Sequence, residues 1–187
     1  MSQPETQVII RKPKQNELGK LFFAIIKTLP TTIDYKLARY LITSQSHECF
    51  VVIVEGNITG FCFFGLSGEE KTLWYDFLGT DPEFRSKGHG RLLIHHLEEY
   101  AIENGYDKVG IIIHLFNASH AGAENFFNRE SYHKEAIKDN TQSFFYIKNL
   151  ENVSNTIKEK SQPRSIISKT LYLVILSFQI IALIAKK

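Results

Sequence analysis

Residues 81–93 read DPEFRSKGHGRLL, and the interpretation of this stretch decides the fold. Arg85, Gly88 and Gly90 stand in the spacing R-x-x-G-x-G. An alternating segment, residues 72–78, leads into it, and an apolar-periodic segment follows at once. Together they predict a strand, a tight glycine loop and a helix N-terminus. Such a loop turns several backbone N–H groups outward, and the helix dipole adds partial positive charge there. Glycine allows positive φ and lets a ligand approach with no Cβ in the way. Arg85, Lys87 and Arg91 add cationic side chains. The loop suits a polyanion, most simply a diphosphate. It is not G-x-x-x-x-G-K-[ST], and it lacks the first glycine of a dinucleotide fingerprint, so neither of those nucleotide sites fits.

Working outward, the helix behind the loop is expected from about Gly88 to Gly105, with Leu93, Leu97, Tyr100 and Ala101 as its buried stripe. Residues 109–115 are almost unbroken aliphatic sequence, as in a central strand covered on both faces. Strand, helix and strand then form a right-handed parallel crossover. Upstream, residues 8–11 predict a strand, and two helices follow, about 16–27 and 34–42. Residues 50–55 and 58–66 predict two strands around a turn at Gly56-Asn57. Downstream, Asn117 or Ser119 caps a helix to about 128, and residues 132–137 and 143–149 predict two last strands. The alternation in 72–78 sets Trp74, Asp76 and Leu78 on one face.

Composition narrows the function classes. The chain has 187 residues, 43% hydrophobic and 22% charged, with net charge +2 and no dense basic block. Nucleic-acid binding has no electrostatic footprint. Cys49 and Cys62 lie in strand-like runs without zinc spacing, so they are expected as buried thiols. The first residues, MSQPETQ, carry no signal-peptide core, which places the main domain in the cytosol. Three segments are expected: a domain at 1–149, a polar linker at 150–169 and an apolar helix at 170–187. Residues 170–185 form a run of 16 without charge. As a helix it measures about 24 Å against a hydrocarbon core of about 30 Å. It suits a membrane anchor flanked by Lys169, Lys186 and Lys187, or else a buried or dimer-forming helix.

The run D-P-E-F-R-S-K-G-H-G-R-L-L resembles motif A of the GNAT superfamily of acyl-CoA-dependent N-acyltransferases. The element order β-α-α-β-β-β-α-β-α-β-β over about residues 7–149 is also that family's. The resemblance implies an α/β fold with a mixed, largely antiparallel sheet splayed at a central parallel strand pair and flanked by helices. It implies an N-acetyltransferase that passes the acetyl group of acetyl-CoA to a primary amine by direct attack, with no metal. Coenzyme A would be held by Arg85, Ser86, Lys87, Gly88, His89, Gly90 and Arg91 in the loop, by Leu78, Gly79 and Thr80 on the strand, and by Asn117. A backbone N–H near Leu78 and Gly79 would meet the oxyanion, and Gly79 would mark the bulge that opens the sheet. Asp76, nine residues before Arg85, stands where some members carry a catalytic glutamate, and is the expected base.

One position departs from the pattern. Phe127 stands where the family usually has a tyrosine, and Ser131 where it has a glycine. Phenylalanine donates no proton. Three outcomes follow: the thiolate leaves unassisted, Tyr132 or Ser119 substitutes, or the domain is a non-catalytic acyl-CoA-binding or membrane-tethered module. Cys62 lacks an identifiable base, His95 and His96 are expected to face solvent, and His114 ends the strand near the thioester. The acceptor pocket is expected between residues 15 and 43, where no motif selects amino acid, peptide, polyamine or sugar.

Overall fold

The computed structural model describes residues 7–29, 33–45, 47–65, 71–114, 120–137 and 140–150. The linker, the apolar C-terminal segment, Asn117 and Ser119 lie outside the described residues, and the anchor and dimer-helix expectations lie there with them. Among the described residues no helix is long and apolar enough to cross a membrane.

Alternating and continuous apolar runs build seven strands. They are β1 (Val8–Arg11), β2 (His47–Val54), β3 (Asn57–Gly65), β4 (Thr72–Thr80), β5 (Lys108–His114), β6 (His133–Ile137) and β7 (Asn140–Asn149). Four helices interleave with them: α1 (Leu18–Thr28), α2 (Tyr35–Thr43), α3 (His89–Glu103) and α4 (His120–Arg129). This is the element order expected from the sequence. The sheet runs β1-β2-β3-β4-β5-β7-β6, and every pairing is antiparallel except β4 with β5. Local chemistry sets the ends. The Asp34 carboxylate accepts from the Leu37 N–H at 2.8 Å and starts α2. Gly105 takes φ 78° after α3, where side chains are disfavoured. The β2–β3 turn is centred on Glu55 and Gly56, with φ 50° and 76°, one residue earlier than expected. A two-residue hairpin needs positive φ at both central positions, and Gly56 supplies the second without strain.

The sheet buries both faces. Phe50, Val52, Leu73, Leu93, Leu97 and Val109 belong to a core beneath α3. Val51, Phe61, Phe63, Leu21, Ile25 and Leu41 belong to a second core beneath α1 and α2. The period of two along β2 sends alternate residues to the two cores.

β4 departs from that period at one point. Phe63 pairs with Phe77 and Phe64 pairs with Tyr75, so Asp76 has no opposite residue on β3. Asp76 is therefore the extra residue of a β-bulge. Leu73 and Tyr75 lie in the core beneath α3, whereas Phe77 turns to the core beneath α1 and α2. Leu78 packs on the α3 side, so the expected common face of Trp74, Asp76 and Leu78 does not exist. The bulge expected at Gly79 lies three residues earlier. Gly79 answers a different need. A Cβ there would sit 2.5 Å from the Phe61 ring and 2.9 Å from the Thr28 methyl.

β4 and β5 pair only through Thr72–Lys108, Leu73–Val109 and Trp74–Gly110. Beyond Trp74 the two strands part. Gly110 keeps that last pair tight, because a Cβ there would meet the Trp74 ring at 2.6 Å.

Replacing Gly79 by alanine should destabilise the domain by about 2 kcal/mol, because a methyl is forced against a packed aromatic ring. Urea unfolding of Gly79→Ala at neutral pH measures this. Stability equal to the parent would show that α1 and Phe61 yield without cost.

Candidate active site

The loop between β4 and α3 is shaped by its own residues. The Asp81 carboxylate accepts from the Glu83 N–H at 3.0 Å and caps a short 3-10 turn, Pro82–Phe84. Ser86 and Gly88 then take φ 60° and 86°, which turn the chain sharply into α3. The Leu92 N–H bonds to the Gly88 carbonyl at 3.0 Å. The N–H groups of Gly88, His89, Gly90 and Arg91 precede that bond, so they are the unpaired donors of the helix start. A Cβ at Gly88 would meet nothing within 4 Å, so the space above the loop is open. At Gly90 a Cβ would lie 3.5 Å from Thr80 Oγ1 and 3.6 Å from the Phe126 ring. A larger side chain there would fill the concave side. The loop thus fits a diphosphate: free N–H donors, an open approach and flanking cations.

Each cation is held differently. Arg85 Nε donates to the Thr80 carbonyl at 3.2 Å, and Lys87 Nζ lies 4.6 Å from the centre of the Phe84 ring. Arg91 Nε donates to the buried Glu130 carboxylate at 3.2 Å. On the other side Lys27 of α1 reaches Asp81 and Glu83, both at 2.9 Å. Partial burial acts to raise the Asp81 carboxyl, but the Lys27 ammonium and the Glu83 N–H outweigh it, and the net shift is downward.

His89 points inward. Its Nδ1 lies 3.0 Å from Thr59 Oγ1, and its ring stacks on Phe84 at 5.7 Å. Only 6% of the residue is exposed. The ring is therefore turned away from the open side of the loop and ties the loop to β3. Burial first, and Lys87 second, push the imidazole below its ordinary value.

Along β4, Leu78, Gly79 and Thr80 pair with Cys62, Phe61 and Gly60 of β3. Successive N–H groups of a strand point to opposite sides. One of the Leu78 and Gly79 N–H groups therefore faces the side from which β5 has withdrawn, as an oxyanion donor needs to. Asp76 lies on the bulge at the start of this divergence. Its Oδ2 is 3.3 Å from Nε2 of His47, the first residue of β2. The Tyr40 ring of α2 stands edge-on to the imidazole at 5.9 Å. The sequence reading missed His47 because the strand was expected to start at residue 50. The alternation His47, Cys49, Val51, Ile53 is the signal that would have extended it.

The remaining candidates separate. Phe127 is buried in a ring cluster with Tyr75, Tyr132 and Tyr146. The Tyr132 hydroxyl donates to Glu98 at 3.2 Å, and Lys148 donates to both oxygens of the same carboxylate at 2.9 and 3.0 Å. Burial first, then Glu98, push the Tyr132 phenol well up. The structure thus places Tyr132 in the core beneath α3, bound to a carboxylate. Cys62 is fully buried, and burial pushes its thiol well up, which leaves it inert as a nucleophile. His95 and His96 are not simply turned to solvent. His95 Nε2 lies 3.1 Å from Glu130, and His96 stands on the Phe50 ring at 4.6 Å. Among the described residues no group of three or more His, Cys, Asp or Glu could hold a metal. The side chain of His114 lies outside the description.

The sequence profile of the Acetyltransferase (GNAT) family matches residues 18–132, from the first turn of α1 to the end of α4 and just beyond. The chain belongs to the GNAT acetyltransferase family. Solved structures agree on the fold. The ribosomal-protein-S18-alanine N-acetyltransferase of Escherichia coli is 12% identical, with a TM-score of 0.65, covering 82% of this chain and 100% of its own. The PaiA N-acetyltransferase of Thermoplasma acidophilum, solved with coenzyme A, is 13% identical, with a TM-score of 0.61, covering 76% and 99%. An N-acetyltransferase of Staphylococcus aureus is 18% identical, with a TM-score of 0.60, covering 78% and 99%. No curated protein matches the chain. The parallel β4–β5 pair that opens beside the glycine loop is thus a GNAT feature on a chain whose side chains have diverged widely.

The inward imidazole gives the GNAT loop of this chain a pH signature. His89 is depressed in the folded protein, so the unfolded chain binds more protons below about 6.5, the ordinary imidazole value. Its contribution to stability is complete above that value and is lost as pH falls through the folded one. Unfolding free energies from pH 8 to pH 5 should therefore fall more steeply for the parent than for His89→Leu. Parallel curves would show that His89 charges without disturbing the loop.

Proposed function

We propose that this GNAT chain transfers an acetyl group from acetyl-CoA to a primary amine by direct attack. The divergence of β4 and β5 beyond Trp74–Gly110, beside the start of α3, carries the reading. It supplies a slot for a thioester arm next to an anion cradle. In this reading the N–H groups of Gly88 to Arg91 hold the diphosphate, and Arg85, Ser86 and Lys87 flank it. Thr80 lines the approach, and Asn117, outside the described residues, is retained as a coenzyme contact on the family resemblance alone. Asp76 takes the proton that the ammonium must lose before its nitrogen can attack. A β4 N–H near Leu78 or Gly79 stabilises the charge that develops on the carbonyl oxygen as the C–N bond forms. The C–S bond then breaks, and the sulfur leaves as a thiolate.

No side chain is assigned as acid to that thiolate. The Tyr132 hydroxyl is engaged by Glu98, and a thiol is acidic enough to leave as an anion near neutral pH. A second reading, a CoA-binding domain without turnover, rests on Phe127 at the position where the family usually carries a tyrosine.

Release of free thiol from acetyl-CoA, followed over a panel of primary amines, tests the proposal. Amine-dependent release is expected. It should be lost in Gly90→Val, together with CoA affinity measured by calorimetry, because the valine side chain fills the cradle. Tight CoA binding with no release for any amine would establish the second reading, and undiminished binding by a folded Gly90→Val would remove the loop from the site.

Tyr132→Phe should change kcat by no more than about threefold while lowering stability by about 1 kcal/mol, the worth of one buried hydrogen bond. A drop in kcat of a hundredfold or more with CoA binding intact would instead give Tyr132 the acid role.

A further inference from the structure

The Asp76 carboxylate is not alone on its bulge. His47 reaches it across β3 from the start of β2, and the imidazole side chain is 2% exposed while the Asp76 side chain is 18% exposed. Asp76 therefore has one oxygen against a buried ring and the rest of the carboxylate nearer the surface. The strand register makes this contact. His47 pairs with Gly65, Gly65 pairs with Trp74, and the bulge then turns Asp76 back toward the α2 side of the sheet. An ordinary alternation would have paired Asp76 in the ladder and left it no such freedom.

We propose that His47 is the positioning residue of the catalytic carboxylate. The inference rests on acyl transfer with Asp76 as base. An ionised carboxylate only accepts hydrogen bonds, so the nitrogen that faces Oδ2 carries a proton. Nε2–H donates to Oδ2, fixes the carboxylate rotamer and leaves Oδ1 for the acceptor amine. Tyr40 stands edge-on to the ring from α2, and Cys49 lies two residues along β2. His47 is too buried to touch an acceptor, so it acts only through Asp76.

Two substitutions separate the orienting contact from mere packing. His47→Gln keeps an N–H donor of similar reach, and His47→Ala removes it. The full chain should release thiol from acetyl-CoA with the best amine of the panel. His47→Gln should keep kcat at pH 8 within a fewfold of the parent. His47→Ala should lose about ten- to hundredfold in kcat at that pH with the KM for acetyl-CoA unchanged, the effect of one hydrogen bond to a charged group. CoA affinity should be unchanged in both. In Asp76→Asn background the two His47 substitutions should add nothing, as expected for residues that act as a unit.

A folded glutamine variant as impaired as the alanine variant overturns the proposal. So does an alanine variant as active as the parent. If the parent releases no thiol with any amine while binding CoA, acyl transfer itself fails and the role of His47 falls with it. That outcome is read in the parent alone and is distinct from the other two.

Discussion

The structure depends on a sheet that is left open in its middle. Backbone N–H and C=O groups that lose their partners in a protein interior cost about 1–3 kcal/mol each, so strands rarely part within a sheet. Here β4 and β5 part after three paired residues. The sheet survives because the load is carried on either side. β5 pairs with β7 along its whole length, from Lys108–Asn149 to His114–Ser143. β4 pairs with β3 as far as Thr80–Gly60. Each half is thus complete without the other, and the two are joined at the base by the Trp74–Gly110 pair, where the indole covers the missing side chain. The opening is a place where a substrate can supply hydrogen-bond partners that the protein does not.

The same opening explains why the bulge and the glycine loop must act together. A strand that simply ended at Trp74 could not deliver residues 78–80 to the start of α3. The bulge at Asp76 keeps β4 paired with β3 while it changes which core each later side chain enters. It thereby turns Asp76 toward α2 and keeps Leu78 against the α3 side. Beyond it, the Asp81 N–H bonds to the Thr59 carbonyl at 3.0 Å, and His89 bonds to the Thr59 side chain. One residue of β3 thus holds both ends of the loop. The middle residue of the loop is thus pinned to the sheet, with Phe84 stacked on its ring.

What the sequence revealed and what it concealed divide along physical lines. Element order was legible because apolar periodicity reports burial, and burial of a sheet on both faces leaves long runs such as residues 109–113. The loop was legible because R-x-x-G-x-G answers a backbone requirement, positive φ at Gly88 and room at Gly90. Strand register was not legible. Alternation shows that residues take opposite faces, but a single unpaired residue reverses the pattern, and nothing in Thr72 to Thr80 marks Asp76 as that residue. The sequence pointed to Gly79 because glycine often marks bulges, whereas its lack of a side chain serves the contact with Phe61 and Thr28. His89 misled in a similar way. A polar residue between two glycines suggests a ligand contact, yet this one is polar so that it can bond Thr59 in the interior.

Phe127 follows from the same packing logic. Around it stand Tyr75, Tyr132 and Tyr146, all buried. A hydroxyl on the Phe127 ring would need a partner of its own in this cluster. The Tyr132 hydroxyl already takes Glu98, and the Tyr75 and Tyr146 hydroxyls are buried without partners among the described residues. A further phenol would add another unmet group to a core that already has two. Phenylalanine there removes that cost and keeps the ring contacts. On the other face of the sheet the Asp76 carboxylate, freed from the ladder by its bulge, lies 3.3 Å from the buried His47 imidazole.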